Sequence, residues 1–67
     1  MYTVVAVHYL RETDGSSYRP RSTHKAIGAA THAAAVYAER DTNPDNHYIV
    51  TDEKGRTVFS TSDKEAF

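Results

Sequence analysis

Residues 22–40 read STHKAIGAATHAAAVYAER, and the reading of this stretch decides the fold. Seven of the residues from Ala26 to Ala38 are alanine, the side chain held in a helix at least cost, and only Gly28 is a poor helix former. At about 100° per residue, Ala26, Ile27, Ala30, Thr31, Ala33, Ala34, Tyr37 and Ala38 fall on one broad arc. The spacing predicts a helix over 22–40, with Ser22 or Thr23 capping its first amides. Ile27 and Tyr37 give the arc bulk. The alanines let the backbone lie close to the layer beneath.

The opposite arc carries Gly28, Ala29, His32, Ala35, Val36 and Glu39. A solvated helix face is normally rich in long charged side chains, and the middle turns here hold none; Lys25 and Glu39 only flank the patch. One reading is that alanine serves as an inexpensive surface helix former. The other is that this face meets a second copy or a partner, which makes Gly28, Ala29, His32, Ala35 and Val36 a candidate interface. The helix ends carry charge against the macrodipole: His24 and Lys25 in the first turn, Glu39 and Asp41 near the last. A positive N-terminal end can receive an anion. Plain surface tolerance explains it equally, because exposed charges interact weakly.

Strand patterns flank the helix. Residues 2–10 (YTVVAVHYL) are β-branched and aromatic, with Thr3, Val5, Val7 and Tyr9 on one face and Tyr2, Val4, Ala6, His8 and Leu10 on the other. Apolar residues on both faces predict a central strand. One helix covers only one side of such a sheet, so one of the two sets stays open, a second hint of a partner surface. Asp14-Gly15 is a two-residue hairpin signal, which makes residues 16–19 a short return strand ended by Pro20, or else a loop. After the breaker cluster at 41–46, HYIVT (47–51) and RTVFST (56–61) form a hairpin around Asp52-Glu53-Lys54-Gly55. In it Tyr48 shares a face with Val50, Ile49 with Thr51, and Thr57 with Phe59. Ser62 to Glu65 matches a capping box, which either starts a closing turn docking Phe67 or simply frays. The expected fold is α+β: a two-layer ββαββ (or βαββ) arrangement with one helix on an antiparallel sheet of three or four strands.

The chain has 67 residues, enough for one small domain over 1–67. A core of this size rarely supplies more than about 3–5 kcal/mol, and association is the usual remedy. There is no cysteine, so neither a disulfide nor a thiolate site can staple the fold. Eight basic and nine acidic residues give a formal charge of −1, which argues against a strongly basic nucleic-acid binder. No apolar run is long enough to span a membrane, and no signal peptide is read, so a cytoplasmic location is expected.

Four histidines, His8, His24, His32 and His47, lack the helical pair spacing of a zinc site, although His8 and His47 are candidate cross-strand neighbours. No serine or threonine lies in a nucleophile elbow and there is no glycine-rich phosphate loop, so neither a catalytic residue, a metal nor a cofactor is assigned. The basic stretch SSYRPRSTHK brings Tyr18, Arg19, Arg21, His24 and Lys25 to the helix start, where they can grip a phosphate, a nucleic acid or an acidic partner.

The succession of a strand-rich start, STHKAIGAATHAA and HYIVTDEKGRTVF resembles the layout of small phage- and prophage-encoded accessory proteins. Some of these inhibit host complexes by surface binding, so the resemblance implies a non-catalytic binder; it carries over no functional residue. The resulting expectation is a non-enzymatic protein-interaction module, homodimeric and of the phage-inhibitor kind, acting through the helix back face. The alternative is a nucleic-acid or phosphate-binding accessory protein using the basic stretch.

Overall fold

The computed structural model of the chain describes residues 1–61. Its elements run β1 (Tyr2–Leu10), β2 (Gly15–His24), α1 (Ile27–Arg40), β3 (Asn46–Thr51) and β4 (Thr57–Ser60). The four strands form one antiparallel sheet in the order β2-β1-β3-β4, and α1 packs on one side of it. The expected α+β fold with a ββαββ order is present. The capping box at 62–65 and Phe67 lie outside the described residues.

β1 is central, as its two apolar faces require. It pairs with β2 from Tyr2↔His24 to Leu10↔Gly15 and with β3 from Thr3↔Thr51 to His8↔Asn46. The set Tyr2, Val4 and Ala6 faces the helix, so Thr3, Val5, Val7 and Tyr9 make up the side facing away from it. Val4, Val50, Ala30 and Ala34 are fully buried and form the core with Tyr48. Tyr37 stacks on Tyr48 at 5.6 Å between centroids. The alanines do what their size suggests: with no side chain beyond Cβ, α1 settles directly onto Val4 and Val50.

Several sequence expectations are corrected. The helix begins at Ile27, not at residue 22, because Ser22, Thr23 and His24 pair with β1 as the last residues of β2. Neither Ser22 nor Thr23 caps it. Ala26 holds the N-cap position in extended geometry, with no side-chain hydrogen bond to the first amides. Ile27 sits at the very start of the helix and is 45 % exposed, outside the core face assigned to it.

Pro20 does not end the return strand. β2 lies at the sheet edge, where a residue without N–H is tolerated, and the register shifts between Val4 and Val5 to absorb the extra residue. The β1–β2 connection is a four-residue turn over 11–14 rather than a two-residue Asp14-Gly15 loop. Asp14 itself takes the positive φ of 55°. In the β3–β4 turn Gly55 has φ 80°, and the Asp52 carboxylate accepts from the amides of Lys54 and Arg56, both at 2.9 Å. A second register shift, between Val50 and Thr51, separates Thr57 from Phe59: Phe59 pairs with Val50 on the helix side, Thr57 with Thr51 on the other.

Candidate interaction surface

The open side of the sheet is the broadest surface that α1 leaves uncovered. Register places Thr3, Val5, Val7 and Tyr9 of β1 beside Thr23, Pro20, Tyr18 and Ser16 of β2. On the other flank lie His47, Ile49 and Thr51 of β3, then Ser60 and Thr57 of β4. Val7 and Ile49, at its centre, are buried, at 2 % and 7 % exposure, while Tyr18 (66 %) and Tyr9 (39 %) are exposed on the β2 flank.

Among the described residues, the strand positions on this side include no Asp, Glu, Lys or Arg. The strands contain only two such residues, Arg19 and Arg21. Arg19 is paired with Ala6 and so belongs to the helix side. Arg21 is held there by Tyr37, with its guanidinium carbon 5.4 Å from the ring centroid, a cation–π contact. At the rim, the Tyr9 hydroxyl donates to Asp14 in the turn.

The helix back face is open as well. Gly28, Ala29, His32 and Ala35 are exposed and Val36 is half-buried. A Cβ added at Gly28 would meet nothing within 4 Å, so no neighbouring element of the fold requires the glycine. Short side chains give this face little apolar area. Of the exposed large side chains, Tyr9, Leu10, Tyr18 and Val58 belong to the sheet and Ile27 to the start of α1.

The basic stretch divides between surfaces. Tyr18 looks out from the open side, Arg19 and Arg21 belong to the helix side, and Lys25 is exposed just before α1. His24 is half-buried, its Nε2 2.9 Å from the Ser22 hydroxyl. Among the described residues no third group orients the other nitrogen of this ring, the support that an activating base ordinarily needs. His8 and His47 are not neighbours: Val7 pairs with His47 and His8 with Asn46, which puts the two rings on opposite sides of the sheet. Among the described residues, no three His, Cys, Asp or Glu converge to hold a metal ion.

A polar cluster at the C-terminal end of α1 escaped the sequence reading. Asp41 is the C-cap, with its amide donating to the Tyr37 carbonyl. Its carboxylate accepts from the Asn43 amide at 3.0 Å, from Asn46 Nδ2 at 2.8 Å and from the Tyr48 hydroxyl at 2.8 Å. Asn46 Oδ1 in turn bonds His8 Nδ1. The Asn43 amide, then Asn46 and Tyr48, hold the Asp41 carboxyl below its ordinary pKa. Burial first, then the hydrogen bond to Asp41, pushes the Tyr48 phenol above its own. The cluster ties helix end, β1 and β3 together. The only local signal was the Asp41-Thr42-Asn43 spacing of an Asx turn; the other partners meet only through the fold.

The chain matches no family model, no curated protein and no solved structure. No described helix is long and apolar enough to cross a membrane.

Proposed function

We propose that the chain is a non-enzymatic protein-interaction module that presents the open side of its sheet to a protein partner. The observation that carries this reading is the segregation of charge. One quarter of all residues are Asp, Glu, Lys or Arg, yet among the described residues the strand positions on this side have none, and both strand arginines turn the other way. Depletion of charge with exposed tyrosine is the composition of the buried centre of an interface. The helix back face, with Ala29, His32 and Val36, is the lesser docking surface because its short side chains bury little area. Inhibition of a host complex by occupying its surface is one form this function takes.

The test compares a purified, identified partner against three variants. Tyr18→Lys is expected to weaken binding at least tenfold, while Ala29→Glu and Arg19→Ala leave it near wild type. Equal affinity for wild type and the sheet variant sinks the reading. So does an oligonucleotide affinity that falls steeply with salt and is lost in Arg19→Ala, since that dependence marks phosphate contacts.

A further inference from the structure

We infer that Arg19 and Arg21, on the helix side of β2, form a seat for one phosphate monoester group. The inference goes beyond the protein-partner reading, concerns the other side of the sheet, and can fail without it. β2 is an edge strand, and α1 packs mainly over β1 and β3, so the helix side of β2 is a shelf beside the helix. Register puts Ser17 and Arg19 on that shelf, paired with His8 and Ala6, and Arg21 is the extra residue at the register shift.

The two guanidinium groups are placed to share a ligand. Arg21 lies over the Tyr37 ring, its guanidinium carbon 5.4 Å from the centroid, and Tyr37 is itself stacked on Tyr48. A guanidinium held by its flat face keeps its N–H edges for hydrogen bonds. Residues two apart on an extended strand share a face at a spacing of about 6.6 Å, within the span of two arginine side chains. Both arginines are exposed to solvent.

Their charge is uncommitted. Arg11 and Arg56 are paired with Asp45 and Asp52, at 2.9 Å and 3.0 Å. Among the described residues, no carboxylate pairs with Arg19 or Arg21. The Asp41 carboxylate is taken up by the Asn43 amide, Asn46 and Tyr48.

The geometry selects among anions. A carboxylate has two oxygens, and a single guanidinium fork occupies both. A phosphate monoester brings three acceptor oxygens and nearly two charges, enough for two forks. An internal phosphodiester of a nucleic acid has one charge and two free oxygens. The Tyr37 ring, already engaged by Arg21 and Tyr48, offers no platform for a base. Because the seat is open to water, its Kd for a monoester is on the order of 1 mM.

The test is an NMR titration of the 15N-labelled full chain with methyl phosphate at about pH 7.5, where the monoester is mostly a dianion, at constant ionic strength. The Nε–Hε signals of Arg19 and Arg21 should move along one saturable curve while those of Arg11 and Arg56 stay still. Acetate and dimethyl phosphate should each bind at least about fivefold more weakly, since neither can fill both forks. Arg21→Lys keeps the charge and loses the fork, so it should raise Kd at least about threefold. The backbone amide spectrum of this surface variant reports independently that the fold is kept. Equal, unsaturated shifts at every arginine overturn the inference. So does Arg21→Lys binding as wild type, or acetate binding as tightly as methyl phosphate, since either marks attraction to charge alone.

Discussion

Replacing Ala34 by leucine tests how α1 packs on the sheet. Ala34 has no exposed surface and packs with Ala30 against Val4, Val50 and Tyr48. Leucine brings three more carbons to a place with no room, so either α1 lifts from the sheet or the valines leave their preferred rotamers. Overpacking of this kind costs about 1–3 kcal/mol. Against the roughly 3–5 kcal/mol that such a core supplies, that is a large share. The matching control is Ala35→Leu, one residue along and exposed, where the small difference in helix propensity is the same and the packing penalty is absent. Urea unfolding followed by circular dichroism should lower the midpoint of Ala34→Leu by about 1 M or more with an unchanged slope, and leave Ala35→Leu near wild type. Equal midpoints for the two variants would refute the claim that small side chains set the helix-to-sheet distance.

Three further outcomes follow from named groups. Asp41 has a folded pKa below its unfolded value of about 4, so its contribution is present above that pH and is lost as pH falls through the lower folded value; Asp41→Asn should flatten the acid limb of a plot of unfolding midpoint against pH. Tyr48 is raised instead, so its contribution is present below about pH 10 and is lost as pH rises through the folded value; Tyr48→Phe should remove that alkaline loss and, by deleting one hydrogen bond to a carboxylate, cost about 1 kcal/mol at neutral pH. The two glycines part company: Gly28→Ala, in helix with free space for Cβ, should raise the thermal midpoint by a gain of about 0.5–1 kcal/mol, whereas Gly55→Ala, at φ 80°, should lower it by about 1 kcal/mol.

The layered fold was legible because its signals are local. Alanine density marks α1, β-branched runs mark β1 and β3, and Gly55 marks the last turn. The errors fall where pairing overrides local preference. Ser22 and Thr23 have good capping chemistry, but their backbones pair with Val4 and Thr3, and the helix waits until Ile27. Pro20 reads as a stop only if the strand is interior, and edge position is a property of the whole sheet. The sheet side facing away from the helix was legible as a pair of alternatives, and choosing between them needed the contacts of Val4 and Val50. Its freedom from charge depends on where the bulge turns Arg21, which local sequence does not specify. The Asp41 cluster was out of reach for a different reason: His8 stands far upstream of Asn46, and only sheet pairing joins them.

The central place of β1 has a consequence for how the chain is made. β1 precedes both of the strands that flank it, and its second neighbour, β3, comes after the whole of α1. The β1–β2 hairpin can close early on the growing polypeptide, because its halves are adjacent. Val4 cannot meet Val50 until most of the message has been translated, and such distant pairing is the slow part of folding. A nascent chain halted before β3 would therefore hold the two-stranded ribbon and α1 without the strand that completes their core, the species a chaperone would find.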